Sequence, residues 1–173
     1  QTLALSVLFR TGGDVERLPL LCGLAVSGAL EALTGAAFRI KWPNDIVCSS
    51  RTVCGILCES RPDGQGGLAV VAGMGVNLRQ TAAWFAQAGL PHAGSVLELT
   101  GRTLSLEETA AAILNQLEPL WDLCGQEGFA VLRAQYARRC LHLGRSVRVL
   151  SPDRAARPAG TAVGVGAAGG LPV

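Results

Sequence analysis

The chain has 173 residues, of which 49% are hydrophobic and 16% charged, and its formal net charge is +2. This length and hydrophobic content are typical of a folded domain with one core, and they exclude a disordered chain. The small net charge gives no reason to expect a nucleic acid or an acidic membrane surface as partner. We find no apolar run of the roughly 18–20 residues that a membrane span needs, and no signal peptide opens the chain.

The chain begins with a predicted strand and a predicted helix. Residues 3–9 are almost continuously apolar and read as a buried strand. A turn at 11–14 follows, and then a helix that begins at about Val15 or Leu18 and runs to Leu33. Gly35 lies just beyond the last apolar residue, where glycine commonly ends a helix.

An antiparallel meander is predicted next. Four strand-like segments are separated by turn residues, at 38–40, 46–48, 53–58 and 68–77. Glycines interrupt two of them, at Gly55, Gly73 and Gly75. Glycine inside a strand indicates either a β-bulge or a close approach of the backbone to a ligand, and the residues alone favour the bulge.

The rest of the chain predicts helices and then a small β module. Ser105 and Glu108 form a capping-box pattern that begins a helix, which we expect to end at Gly125 and to bury an apolar face comprising Leu106, Ala110, Ile113, Leu114, Leu117 and Trp121. A last helix is expected over 129–139. From 143 onwards the sequence is rich in glycine, alanine and valine, so we divide the chain into domains at 1–142 and 143–173.

The cysteines predict buried thiols in a reducing, cytoplasmic location. None of the six forms a C-x-x-C pair, and most lie within apolar runs: Cys22, Cys48, Cys54, Cys58, Cys124 and Cys140. Free cysteine in such a setting behaves as a small hydrophobic residue, so we expect neither a disulfide framework nor a zinc site.

Residues 41–45 read K-W-P-N-D and concentrate polar chemistry at the end of a predicted strand. Pro43 cannot donate to a sheet and should end that strand. Lys41 is the only lysine in the chain, and a compact ammonium suits a phosphate. Asp45 could hold Mg²⁺ together with substrate phosphates, or form an Asx turn.

Two carboxamides also follow apolar strands. Asn44 and Asn77 each present a donor and an acceptor side by side, which suits the edge of adenine, although either could simply stabilise a turn. Trp42 is more typical of a core residue than of a ligand-stacking one.

Three motifs together resemble one family. Residues 41–45 read K-W-P-N-D, 55–59 read G-I-L-C-E, and 73–77 read G-M-G-V-N, in the order and spacing of the biotin protein ligases. We identify the chain as a member of that family. The resemblance implies an α+β fold with a mixed, largely antiparallel sheet flanked by helices, related to class II aminoacyl-tRNA synthetases, and a partial SH3-like module at the C-terminus.

The resemblance also implies an activity. Biotin attacks the α-phosphate of ATP to give biotinyl-5′-adenylate, and a lysine of a biotin carboxyl carrier protein then takes the biotin. The implied cofactors are ATP, biotin and Mg²⁺, with no nucleic acid or membrane partner expected and a homodimer left open. The implied contacts all lie within the motifs: Asn44 and Asn77 for the adenylate, Asp45 for Mg²⁺ or phosphate, Gly55, Leu57 and Gly73 for biotin, and Lys41 for positive potential.

Two departures from the family raise an alternative. The glycine- and arginine-rich G-R-G-R-x-G-R loop would precede Gln1, so we expect an N-terminally incomplete chain with no DNA-binding domain and little adenylate synthesis. The family also carries lysine three residues before the first glycine of G-I-L, where this chain has Thr52. Arg51 is the nearest replacement cation. The alternatives are a degenerate, non-catalytic homologue that binds biotin weakly or serves as an interaction module, and, less favoured, a lipoate ligase.

Overall fold

The computed structural model describes residues 1–13, 15–150 and 156–173, so Asp14 of the predicted turn lies outside the described residues. As the sequence predicts, a strand and a helix are followed by a run of strands, a run of helices and a last pair of strands, with short 3-10 turns at Val15–Arg17 and Phe129–Leu132. In chain order the elements are β1 (Thr2–Thr11), α1 (Leu18–Thr34), β2 (Arg39–Lys41), β3 (Asp45–Cys48), β4 (Arg51–Pro62), β5 (Leu68–Asn77), α2 (Ala82–Gln87), α3 (Val96–Thr100), α4 (Leu106–Glu127), α5 (Arg133–Arg139), β6 (Ser146–Leu150) and β7 (Ala156–Thr161).

The main sheet has five strands in the order β1-β5-β4-β3-β2, and every pairing is antiparallel. The predicted meander is therefore confirmed, with β1 added beside β5. Isolated parallel bridges join Ile40 to Cys140 and Thr52 to Ala93. The predicted α+β class, with a large antiparallel sheet and helices, is confirmed at this level.

The two faces of the sheet differ in burial. On β1, Leu3 and Phe9 are buried, whereas Ala4, Ser6 and Leu8 are exposed. The buried face packs against the helices, and Phe9 stacks on Trp121 of α4 with ring centroids 4.8 Å apart. The prediction that residues 3–9 form a wholly buried strand was therefore wrong, because strand side chains alternate and only one face is covered.

Helix α1 forms the centre of the core. Gly23 of α1 lies so close to the sheet that a Cβ atom would meet Ile40 and Ile46 at 3.6 and 3.8 Å. The segment Val15–Thr34 is long and apolar enough to pass for a membrane span by length and composition, contrary to our reading of the sequence, but most of it is buried within this fold. As predicted, Gly35 ends α1, with φ of +75° and its N–H donating to the Glu31 carbonyl.

Helix α4 is longer than predicted. Ser105 caps its start by accepting a 3.0 Å hydrogen bond from the Glu108 N–H. The helix continues through Gly125 to Glu127, and the Gly128 N–H closes it on the Cys124 carbonyl at 2.8 Å. Leu114 is 41% exposed rather than inward-facing, and Leu120 is buried in addition to Ile113 and Leu117.

The C-terminal segment is docked on the main body by hydrogen bonds from two side chains and by the burial of Val165 in the core. The Trp42 indole Nε1–H donates to the Gly169 carbonyl at 3.0 Å, and Arg133 Nε donates to the Val165 carbonyl at 2.7 Å. Strands β6 and β7 pair antiparallel beside this contact. The division at 142/143 stays a prediction.

All six cysteines are free thiols, as the sequence predicts, and four of them are buried. Cys54 lies on the core side of β4, where burial and the nearby Asp45 carboxylate raise its pKa to about 12. This thiol is therefore protonated at neutral pH and has the properties of a small core residue.

Candidate functional site

A cavity of about 430 Å³ lies on the open face of the sheet, opposite the helices. Its floor is the backbone of three adjacent strands, where Ala4, Gly75 and Gly55 pair in one row and Ser6, Gly73 and Leu57 in the next. Its lining consists of Ala4, Leu5, Ser6, Asn44, Gly55, Ile56, Leu57, Gly73, Met74 and Gly75.

The three glycines are not required by the fold itself. A Cβ at Gly73 would come no closer than 3.8 Å to the Leu57 carbonyl, and one at Gly55 would lie 3.9 Å from Asp45 Oδ1. At Gly75 no atom lies within 4 Å. The ladder is regular at these positions, so the bulge interpretation was wrong. The glycines instead expose backbone and leave space, as a ligand that lies close to a sheet requires.

The K-W-P-N-D segment forms one rim of this cavity. Lys41 and Asp45 pair across β2 and β3, and Nζ lies 3.3 Å from Oδ2 with both side chains partly exposed. Asp45 pairs with Gly55 across β3 and β4, which places the carboxylate above the same sheet face as the glycines. Opposite charges thus meet beside the cavity, where Asp45 is the neighbour of Gly55 in its floor.

The two predicted asparagines are held by their amides. Asn44 Nδ2 donates to the Ile56 carbonyl at 2.9 Å, which leaves its Oδ1 without a donor among the described residues. Asn77 lies two residues beyond Gly75, on the same face of β5, and its Oδ1 accepts from Gln80 Nε2 at 3.2 Å. The structure thus brings Asn44 to the cavity wall and Asn77 to the row of residues beyond it.

A β-bulge at Val53 separates Arg51 and Thr52 from the rest of β4. The β3–β4 register shifts so that Ile46 pairs with Cys54 but Val47 pairs with Thr52, and Val53 is the extra residue. Thr52 therefore lies on the face of Asp45 and the glycines. The Arg51 guanidinium forms an ion pair with Glu98 of α3. The cation nearest in sequence to Thr52 is thus engaged by a neighbouring helix.

Trp42 joins the site to the C-terminal segment and is a packing residue, as expected. Its ring packs against the hydrophobic core and its indole bonds Gly169. Its backbone N–H donates to His142 Nδ1 at 3.3 Å, so this imidazole nitrogen must be unprotonated. Burial, and secondly the charges of Lys41 and Arg145, lower the pKa of His142.

We expect His142 to make stability depend on pH. Because its pKa is lower in the folded protein than in the unfolded chain, the unfolded chain binds the proton more readily, and stability is lost as pH falls below about 6.5, the ordinary histidine pKa. The midpoint of thermal unfolding should therefore decline between pH 7 and pH 5.5. His142→Asn keeps an acceptor but cannot titrate, so most of that decline should vanish. The exposed His92→Asn is the control; an unchanged decline in His142→Asn would contradict the assignment.

Sequence reasoning missed Gln80, His142 and helix α3. Gln80 lies three residues after Asn77, and His142 is 100 residues from its partner Trp42. No local pattern marks either one, because each acts through a contact made only in the folded chain. No group of three or more His, Cys, Asp or Glu side chains within the described ranges could hold a metal ion.

Comparisons with known proteins agree with this geometry. The sequence model of the Biotin/lipoate A/B protein ligase family matches residues 1–77. The chain is 34% identical over 155 residues to the biotin--[acetyl-CoA-carboxylase] ligase of Paracoccus denitrificans, covering 82% of this chain and 61% of that one. It is 25% identical over 138 residues to the bifunctional ligase/repressor BirA of Escherichia coli, covering 79% and 42%.

Solved structures show the same fold. The biotin protein ligase of Aquifex aeolicus in complex with biotin and ATP superposes with a TM-score of 0.82 at 26% identity, covering 98% of this chain and 70% of that one. A point mutant of that ligase in complex with biotin gives a TM-score of 0.83. These similarities support membership of the biotin protein ligase family. The chain spans 42–61% of the length of the curated relatives described above.

Proposed function

We propose that this chain is part of the catalytic domain of an ATP-dependent biotin–[biotin carboxyl carrier protein] ligase. The observation that carries the proposal is the glycine-floored cavity with the Lys41–Asp45 ion pair beside it. Biotin combines an apolar thioether ring and chain with a polar ureido ring, which suits a mostly apolar cavity that exposes backbone polar groups, and its carboxylate can extend to the charged rim. Relatives named as biotin ligases, and a relative solved with biotin and ATP, support the same reading.

Two group transfers make up the proposed reaction. The biotin carboxylate oxygen attacks the α-phosphorus of ATP, an O–P bond forms, and pyrophosphate leaves. The amine of a carrier-domain lysine then attacks the acyl carbon, an amide forms, and AMP leaves with the electron pair of the broken C–O bond. Neither step needs an oxidant or reductant, so positioning and charge stabilisation are the protein's main tasks.

The residues divide between the two ends of the adenylate. Gly55, Leu57 and Gly73 form the biotin surface, because they line the cavity and the glycines expose backbone polar groups. Asn44 and Asn77 hold the adenylate end through the amide atoms that they do not use internally.

The charged side chains beside the cavity are proposed to bind the phosphates of ATP. Lys41 offers an ammonium. Asp45 would hold Mg²⁺ through its carboxylate, and the ion would supply positive charge to the phosphates. Arg51 is left out of the proposed machinery because Glu98 already neutralises it.

A second candidate function rests on Thr52. A hydroxyl occupies the ligand face where the family resemblance implies an ammonium, so the chain could be a homologue that retains the biotin cavity without efficient adenylation. We further propose a cytoplasmic location, and a carrier domain of a biotin-dependent carboxylase as the acceptor. For the fold, we propose a relation to class II aminoacyl-tRNA synthetases and an SH3-like module that contains β6 and β7.

Incubation of the full-length protein with biotin, ATP, Mg²⁺ and a purified carrier domain tests the two candidates. Mass spectrometry of the carrier should show the mass of one biotinyl group on its acceptor lysine, and omission of ATP should abolish it. Biotin binding in calorimetry without any transfer would instead favour the non-catalytic homologue. Absence of both binding and transfer would contradict both.

Asp45→Asn should lower biotinyl-adenylate formation by about 10²-fold or more, because loss of one charge-stabilising contact has this size of effect in related chemistry. The amide preserves the shape of the side chain but loses the ion pair with Lys41 and the carboxylate available to Mg²⁺. Pyrophosphate release at saturating biotin measures the effect. Asp122→Asn, on the exposed side of α4, is the matched control and should be silent. Equal rates of pyrophosphate release in the two variants would show that Asp45 takes no part in adenylate formation.

A further inference from the structure

Gln80 is a buried glutamine whose side-chain amide is fixed at both ends. It is 9% exposed, just beyond the end of β5. Its Nε2 donates to Thr2 Oγ1 and to Asn77 Oδ1, the second at 3.2 Å. Its Oε1 accepts from the Arg79 N–H at 3.2 Å. The Gln1 carbonyl shares the Arg79 N–H at 3.1 Å. Rotating the Gln80 amide by 180° would place its NH₂ group against this N–H, so the observed orientation is the one without a donor–donor contact.

The backbone of Gln80 is anchored as well. Its carbonyl accepts a 2.7 Å hydrogen bond from the hydroxyl of Ser95, which is fully buried. Ser95 in turn caps α3 by accepting from the Glu98 N–H. Gln80 therefore connects the end of β5 to the start of α3, and its side chain has little freedom to adapt.

This arrangement fixes Asn77 in turn. Because Gln80 presents NH₂, Asn77 must present its carbonyl oxygen to Gln80, and its own NH₂ group is directed away from that contact. Nothing in the described part of the chain accepts a hydrogen bond from Asn77 Nδ2. An asparagine without such a neighbour can rotate its amide and offer either a donor or an acceptor, whereas this one can offer only a donor.

We propose that Gln80 is a positioning residue that holds Asn77 with its NH₂ group towards the nucleotide, so that the site selects a hydrogen-bond acceptor, such as a ring nitrogen of adenine. This inference rests on the proposed ligase function. The inference adds Gln80, which lies outside the three sequence motifs, to the proposed site, and it assigns an orientation to the amide of Asn77.

Gln80→Glu tests the orientation directly. A carboxylate cannot donate, so Asn77 must turn its NH₂ group towards Glu at position 80 and its oxygen towards the nucleotide. We expect the KM for ATP to rise by about 10-fold or more, the size of one lost specific contact to a base, while the KM for biotin stays the same. Gln87→Glu adds the same charge on the exposed end of α2 and should change neither constant.

A double-mutant cycle separates orientation from charge. Asn77→Ala removes the amide, so in that background Gln80→Glu can act only through its charge or through packing. We expect its effect on the KM for ATP to be about 10-fold smaller there than in the presence of Asn77. Equal effects in the two backgrounds, or a parallel rise in the KM for biotin, would reduce Gln80 to a structural residue and overturn the proposal.

Nuclear magnetic resonance of the full-length protein without ligands provides a readout that does not depend on activity. The side-chain NH₂ protons of Gln80 should exchange slowly with solvent and those of Asn77 rapidly. In Gln80→Glu the Asn77 protons should become protected. If this exchange pattern is found but the protein binds no adenine nucleotide, the proposed function fails while the orientation stands. If Asn77 exchanges slowly in the unmodified protein, the orientation is wrong whatever the activity.

Discussion

Replacement of Gly73 by valine should weaken biotin binding about 10- to 100-fold without lowering the stability of the fold. The side chain would project from the cavity floor, and a Cβ there meets only the Leu57 carbonyl, at an ordinary contact distance of 3.8 Å. The methyl groups occupy ligand space, and overpacking of this kind costs about 1–3 kcal/mol. Valine also suits a strand better than glycine, so the unfolding temperature should stay the same or rise.

Ala69→Val is the matched control for this substitution. Ala69 lies on the same face of β5, paired with Arg61 and Arg10 rather than with cavity residues. Isothermal titration with biotin and thermal unfolding of both variants form the measurement. Full biotin affinity in Gly73→Val would show that biotin does not lie on this part of the sheet. A large fall in unfolding temperature would show that the glycine serves folding after all.

Thr52→Lys should raise the rate of biotinyl-adenylate formation by about 10²-fold in the full-length protein. The bulge at Val53 places position 52 on the face of Asp45 and Gly55, so an ammonium there would project towards the developing charge of the adenylate. A well-placed charge-stabilising group contributes about 10²–10³ in rate, which sets the size of the expected gain. Pyrophosphate release with biotin and ATP is the measurement.

Two further variants identify the source of any gain. Ser60→Lys adds the same charge to an exposed site on β4 away from the cavity and should leave the rate unchanged. Arg51→Ala should leave adenylation nearly unchanged, because its guanidinium is paired with Glu98. If instead Arg51→Ala abolishes adenylation and Thr52→Lys gives no increase, Arg51 is the working cation and must leave Glu98 when substrates bind.

The sequence predicted the parts of the site that depend on local pattern. Strand period, turn residues and glycine positions are local properties, so β5, the meander and the three motifs could be located from the residues. The bulge could not, because Val53 looks like any strand residue and only its pairing with β3 makes it extra. Leu114 was misassigned for a related reason. Helical spacing gives a face, but the edge of a face is buried only where a neighbouring element covers it.

For the two asparagines, too, the sequence predicted the position but not the contacts made in the fold. Residue type and position after a strand marked Asn44 and Asn77 as candidate ligands. The atoms that each can offer depend on Ile56 and Gln80, and these contacts exist only once the turn and the strand end have folded. To predict which group an asparagine offers to a ligand, one must know whether its Oδ1 or its Nδ2 is already hydrogen-bonded within the protein. No residue pattern in the sequence gives that information.

The bond between Trp42 and Gly169 has a consequence for how the protein is made. It joins residues 127 positions apart, and it lies beside the segment that forms the cavity rim. While the ribosome synthesises the chain, β1 to β5 can pair once residue 77 has emerged, because the pairings among these strands all lie within residues 2–77. The bond from Trp42 to Gly169 can form only after residue 169 has emerged. A nascent chain stalled before residue 169 would therefore lack the indole hydrogen bond of Trp42, although the Trp42 backbone N–H could already bond His142.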